Sequence, residues 1–168
     1  FEAAQGRFIF EMHIGDKISP EKNPSCPYKL AAILDAFPRL QVIAAHFGGY
    51  RMWAHALKAF AGKERPNLWF DSSSTTPFAT PMLVKTLLAA YPADRILFGT
   101  DWPLYDPLDE KHRLQEKGGL SDSMLERLMS NAATIPGLLP PQTGQASSAP
   151  LESRASTVAE VKMEYLQA

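Results

Sequence analysis

Short apolar runs broken by glycine, proline and small polar residues recur along the first hundred positions. Arg7–His13 (RFIFEMH) is rich in strand-forming residues and is ended by Gly15-Asp16. Residues 16–27 carry three prolines and read as a loop, and Tyr28–Phe37 (YKLAAILDAF) follows with helical apolar spacing up to Pro38. Gln41–His46 (QVIAAH) is a second strand. After Gly48-Gly49, Arg51–Ala61 places apolar residues at 53, 57 and 60, one face of a helix stopped by Gly62. Asn67–Asp71 (NLWFD), Pro81–Tyr91 (PMLVKTLLAAY) and Arg95–Asp101 (RILFGTD) continue as strand, helix and strand. Ser121-Asp122 can cap a last helix reaching about Met129, because their side-chain oxygens accept the orphan amides of its first turn. Ahead of all this, Phe1–Gln5 closed by Gly6 reads as the last turn of a helix, as though the chain opened in mid-fold.

Strands separated by helices of this size predict parallel βαβ units, since a parallel connection must cross back over the sheet. The fold class expected is therefore α/β with about four parallel βα units. From Pro136 to Ser156 the composition turns to Pro, Gly, Ser, Ala and Gln, which cannot bury enough apolar surface to offset ordering entropy. The domain reading is thus a folded unit over 1–135 and a flexible Pro/Ser/Ala-rich tail over 136–168, with a short helix expected over 157–166.

Composition narrows the function classes. With 168 residues, 17 Lys plus Arg and 18 Asp plus Glu, the chain has a net charge of −1 and no basic excess for neutralising phosphates, so a nucleic-acid partner is not expected. No apolar run reaches the roughly 20 residues that cross a bilayer, and no basic-then-apolar leader opens the sequence, so neither a membrane nor secretion is expected. The single cysteine, Cys26, cannot form an internal disulfide, which points to a reducing compartment and a cytoplasmic location. Cys26 sits in a Pro-flanked loop without basic neighbours, so it is not read as a nucleophile.

Candidate chemistry lies at the strand ends. The four strands finish on His13, His46, Asp71 and Asp101, at intervals of 33, 25 and 30 residues. In parallel α/β folds the carboxyl ends of the strands share one rim, so these distant residues can face one cavity. Strand alternation puts Glu11, Ala44 and Gly99 two residues below three of them, with Ala44 and Gly99 leaving room beneath the rim. Imidazole and carboxylate together suit zinc, and also manganese or iron. Asp71 is expected to cap the turn Ser72–Thr76 instead of ligating. His55, inside a helix, and His112, within Lys111-His112-Arg113, are assigned to packing or solvent. Gly48-Gly49 could present amides to an anion or make a tight strand-to-helix turn.

Met12-His13-Ile14-Gly15, Ala45-His46-Phe47-Gly48-Gly49, Leu68–Ser73 and above all Ile96-Leu97-Phe98-Gly99-Thr100-Asp101-Trp102-Pro103 resemble the amidohydrolase superfamily, specifically its amidohydrolase-2 branch of metal-dependent hydrolases and decarboxylases. The resemblance covers about residues 1–135, with Asn131-Ala132-Ala133 similar to the family's closing helix. It implies a (β/α)8 TIM barrel of which this chain carries strands five to eight, the carboxyl-terminal half. It implies His13 as a metal ligand, Asp101 as a metal ligand and proton acceptor, and His46 as a ligand or as the group that orients water and substrate. Tyr50, Arg51 and Trp102, which adjoin the two motifs, are expected to contact the substrate, Tyr50 and Arg51 through a carboxylate. The implied cofactor is a divalent metal, with zinc favoured over manganese or iron.

One departure stands out. The family's first strand ends in a His-x-His pair, and the four histidines here, His13, His46, His55 and His112, contain none. A whole barrel needs about 250 residues, so a missing amino-terminal half-barrel is expected, or else a homo-oligomer that covers the open sheet edges. The expected function is that of a metal-dependent hydrolase acting on a small carbonyl or carboxylate compound, incomplete as it stands. Nonoxidative decarboxylation is the alternative reaction, and a noncatalytic α/β interaction domain the alternative of another class.

Overall fold

A computed structural model describes residues 1–138. The tail beyond them, with the expected helix over 157–166, lies outside the described residues. Four strands, β1 (Ile9–Met12), β2 (Gln41–Ala44), β3 (Leu68–Asp71) and β4 (Ile96–Leu97), form one sheet in the order β1-β2-β3-β4. All neighbours are parallel, with Glu11 opposite Ile43, Ile43 opposite Trp69 and Asp71 opposite Leu97. The fold is α/β, four consecutive βα units of a partial barrel.

Helices α1 (Pro27–Ala36), α2 (Trp53–Phe60), α3 (Pro81–Ala90), α4 (Pro107–Gly118) and α5 (Asp122–Ser130) connect and follow the strands. Their starts are explained locally. Pro27, Pro81 and Pro107 stand in the first turns, where a missing N–H costs nothing. The side chains of Thr80, Asp106 and Ser121 accept amide hydrogen bonds from the first turns of α3, α4 and α5.

Helix α4 was not foreseen as a helix; the sequence there reads as a polar segment around His112. Its interior is almost wholly polar, and only Glu110 and Leu114 are buried. The opening residues Phe1–Gln5 form a 3-10 turn over Glu2–Ala4, with Gly6 at φ 70°. The fourth strand is shorter than expected, Ile96–Leu97, because Ala93–Arg95 forms a 3-10 turn before it and the chain leaves the ladder after it.

Side-chain alternation divides the sheet into two faces. Val42, Ala44, Leu68, Phe70 and Ile96 pack with Leu30, Leu34, Phe60, Val84, Leu87 and Leu114 in the main core beneath the helices. Each fully buried leucine there contributes roughly 1.5–3 kcal/mol. On the other face Ile43, Trp69 and Leu97 gather with Ile135, which follows the 3-10 turn Asn131–Thr134. Apolar residues on both faces are what a parallel sheet requires. Asn131 fastens that closing turn by donating 2.7 Å hydrogen bonds to the carbonyls of Ala93 and Ile96. Among the described residues no helix is long and apolar enough to cross a membrane.

Candidate active site

The strand ends converge on a cavity of about 400 Å³ lined by Glu11, His13, His46, Asp71, Gly99 and Asp101, among others. Glu11 and His13 reach it by continuing the alternation of β1 and Asp71 that of β3, while Asp101 comes from the irregular segment after β4, all of which from Leu97 onward lines the cavity. The second strand behaves differently. Ala44 belongs to the core under the helices, so it does not lie beneath the rim as the alternation predicted. His46 reaches the cavity because the chain turns left-handed there, with φ 61° at His46 and 51° at Phe47. Gly99 does leave room, and the room is taken by Asp71. A Cβ on Gly99 would stand 3.0 Å from Asp71 Oδ1.

Among the described residues, five non-glycine residues have positive φ: His46, Phe47, Arg51, Ser74 and Asp101. Such conformations cost roughly 1–3 kcal/mol each and persist where the surroundings enforce them, typically at functional sites. Three of the five are residues singled out from the sequence. The enforcement is visible around His46. Its indole neighbour Trp53 donates to the His46 carbonyl at 3.0 Å, and Tyr91, stacked 3.9 Å from the Phe70 ring, donates to the Phe47 carbonyl at 3.3 Å. Burial pushes the Tyr91 phenol well above its ordinary range. Gly48 has φ 70°, and a Cβ on Gly49 would meet Ala56 at 2.9 Å, which makes the glycine pair a tightly packed turn.

His13 Nδ1 and His46 Nε2 are 2.9 Å apart, and His13 Nε2 is 2.9 Å from the Gly15 carbonyl. His46 is buried, with Nδ1 3.0 Å from the Ser73 carbonyl and 2.8 Å from Ser73 Oγ. Burial is the main cause that lowers its pKa, with the charge of Asp71 opposing, so the neutral ring is favoured. Asp71 Oδ1 accepts hydrogen bonds from the amides of Ser73 (2.8 Å) and His46 (3.2 Å) and from the Ser73 hydroxyl. Its other oxygen, Oδ2, is buried and has no hydrogen-bond partner among the described residues. Ser74 donates to Asp101 Oδ2 at 2.5 Å. Glu11 has its pKa raised, first by burial and then by the charges of Asp71 and Asp101, a sign that three carboxylates share this space.

The run Ser72–Thr76 is buried throughout, although every member is polar. It is held from behind by α4. Thr76 donates to the buried Glu110 at 2.5 Å, Arg113 pairs with Glu110 at 2.7 Å, and Lys117 donates to the carbonyls of Thr76 and Ala79. The sequence missed this layer because its signal is tertiary. Only the cap Asp106-Pro107, the acidic first turn and Gly119, at φ 66°, mark α4 locally.

Tyr50 stands beside the histidine pair, its ring centroid 5.9 Å from that of His13 and 5.5 Å from that of His46. The Arg51 guanidinium lies 3.9 Å over the Phe78 ring, and Phe78 is edge-on to Tyr50. Neither Tyr50 nor Arg51 lines the cavity itself, and Trp102 is exposed and also outside its lining. His55 pairs with Tyr28 at 3.1 Å on the helix side of the sheet, away from the cavity.

The donor types suit a divalent metal, but their arrangement is short of a complete site. Both nitrogens of His13 are occupied, by His46 and by the Gly15 carbonyl. Among the described residues no group of three or more His, Cys, Asp or Glu is placed to hold a metal. A catalytic zinc takes three protein ligands, so further ligands would have to come from outside the described residues.

Residues 3–134 match the sequence model of the amidohydrolase-2 family, described as "Amidohydrolase". The chain belongs to this family. Amidohydrolase-2 proteins include hydrolases and metal-dependent decarboxylases. Solved structures with the same fold include an amidohydrolase from Burkholderia multivorans with bound zinc, at 15% identity and a TM-score of 0.55 over 76% of this chain and 53% of that one. An amidohydrolase 2 from Bifidobacterium longum subsp. infantis matches at 20% identity and a TM-score of 0.53, over 74% and 48%. A TIM-barrel protein from Bordetella bronchiseptica matches at 20% identity and a TM-score of 0.51, over 79% and 47%. The chain thus spans about half the length of the structures it matches.

Proposed function

We propose that this amidohydrolase-2 chain supplies part of the active site of a metal-dependent hydrolase that acts on a small carbonyl or carboxylate compound. The observation that carries the reading is the meeting of His13, His46 and Asp101 at one cavity, each delivered by a different βα unit. His13 and Asp101 would hold a divalent ion, zinc being the favoured one, together with ligands from outside the described residues. Such an ion, when bound, polarises a carbonyl and brings water toward a pKa of about 7.

The chain's own residues account for the rest. Asp101 accepts the proton of the attacking water, and Ser74 keeps the carboxylate oriented through Oδ2. His46 orients the attacked group or stabilises the developing oxyanion. Tyr50, beside the histidine pair, Arg51, whose guanidinium lies over the Tyr50 and Phe78 rings, and Trp102, next to Asp101, stand outside the cavity lining and would meet a substrate that extends beyond it, with Arg51 receiving a carboxylate; among the described residues its guanidinium makes ring contacts and no ion pair.

The test is an assay of small lactones, esters and amides with zinc supplied, using the protein that contains this chain. Formation of a new acid is expected, and Asp101→Asn should lower the rate by about 10²–10⁴-fold. Release of carbon dioxide without consumption of water would replace hydrolysis with decarboxylation.

A further inference from the structure

Phe78 lies outside every motif and outside the cavity lining, yet two residues assigned to the substrate rest on it. Its exposed ring carries the Arg51 guanidinium at 3.9 Å from the centroid and stands edge-on to Tyr50, centroids 5.6 Å apart. Three loops, those after β1, β2 and β3, meet in this stack.

Both partners of the stack are mounted on fixed backbone. Phe78 sits in a turn where its own N–H and that of Ala79 donate to the Thr75 carbonyl at 3.1 and 2.8 Å. Behind that turn Lys117 of α4 donates to the carbonyls of Ala79 and Thr76 at 3.0 and 2.6 Å. Arg51, at φ 59°, is flanked by two anchored amides: Tyr50 N–H donates to the Ile14 carbonyl at 2.6 Å, and Met52 N–H to that of Gly49 at 2.8 Å. Gly15 packs so closely on Tyr50 that a Cβ would stand 2.4 Å from the Tyr50 carbonyl oxygen. The left-handed backbone of Arg51 is thus sustained by its neighbours.

A guanidinium on a ring at the surface is often packing alone. Here the stack engages only the face of Arg51. Its N–H groups lie in the plane, where they match the two oxygens of a carboxylate, and among the described residues no carboxylate pairs with them. A guanidinium already held on a ring also gives up less rotamer freedom when it binds.

We propose that Phe78 is a positioning residue which, by stacking under Arg51, presents the guanidinium edge-on to a substrate carboxylate. This rests on the reading of Arg51 as the carboxylate contact and narrows the substrate class. Arg51 is outside the cavity lining, and the Tyr50 ring adjoins both it and the histidine pair. The carboxylate is therefore a second group of the substrate, set apart from the carbonyl under attack.

The test follows the Nε–Hε signal of Arg51 in ¹⁵N–¹H spectra of the labelled full chain, with Arg51→Gln identifying the signal. Propanoate is titrated in at constant ionic strength, with propanamide as the uncharged control of the same shape. In the wild type the signal should be shifted upfield by the ring beneath it and should saturate with propanoate only. Phe78→Leu should abolish the upfield shift and weaken propanoate binding by about two- to five-fold, the range of an exposed cation–π contact. Phe78→Trp should keep the shift and bind at least as tightly as the wild type. Equal propanoate affinity in Phe78→Leu, or no upfield shift in the wild type, overturns the role of Phe78. A wild-type Arg51 signal that carries the ring shift but does not respond to propanoate overturns instead the carboxylate reading of Arg51, and the proposal falls with it.

Discussion

His13 and His46 come from different βα units and meet with Nδ1 of one 2.9 Å from Nε2 of the other. The contact exists because His46 leaves the strand in a left-handed turn, φ 61°, that no regular strand could supply. That turn rests on Phe47, Tyr91 and Trp53, so the stability of the site is tied to the core under the helices.

Tyr91 makes this dependence measurable. Its phenol is buried and its pKa raised, so the folded state keeps a proton that the unfolded chain gives up near pH 10. The folded state then binds more protons than the unfolded one above that pH, and stability falls as pH rises. Below pH 10 the contribution is fully present. Spectrophotometric titration of the five tyrosines should show one that ionises only with unfolding. Tyr91→Phe should remove this late step and cost about 1 kcal/mol for its hydrogen bond. Ordinary titration of every tyrosine in the folded chain would disprove the packing.

Gly99→Ala places a methyl against a carboxyl that cannot retreat, 3.0 Å from Oδ1. The expected cost is about 1–3 kcal/mol, read as a lower midpoint in urea unfolding. The larger part should vanish in the double substitution Gly99→Ala/Asp71→Ala, where the crowding partner is gone. Additive effects would show that Gly99 matters for some other reason.

Glu110 is buried and joins Thr76 to Arg113 behind the serine run. Glu110→Ala leaves the Thr76 hydroxyl without an acceptor and the half-buried Arg113 unpaired, at a cost of about 2–3 kcal/mol. Glu110→Gln can still accept from Thr76 and should recover at least half of it. Chemical denaturation of the three proteins distinguishes this from a general loss of helix propensity in α4, which Gln would not repair.

Much of this architecture was legible in the sequence. Apolar runs bounded by Gly, Pro and polar residues marked four strands: β2, β3 and β4 are buried on both faces and leave a continuous signature, while β1 is only partly buried, with Glu11 exposed, and showed through its strand-forming residues. The helices that pack on the sheet, such as α3 with Val84 and Leu87 inward, showed their spacing for the same reason. Helix α4 was hidden because it buries almost no apolar surface. It is anchored by a carboxylate, a lysine and a capped start, and these leave no hydrophobic period. At the site, His13 and Asp71 could be placed by counting along their strands, and Asp101 by its position just past the fourth. His46 could not, since its ring reaches the cavity through a turn that breaks the alternation and puts Ala44 among the helices. The hydrogen bond that Asp71 accepts from the His46 amide is a tertiary contact without local trace.

The most direct test is calorimetric titration of the full chain with Zn²⁺. Because both nitrogens of His13 are engaged and no third ligand stands ready among the described residues, the expected affinity is weaker than micromolar, and His13→Ala should weaken it further. Submicromolar binding that is lost in His13→Ala would show that these residues already hold a complete metal site, and would contradict the partial one described.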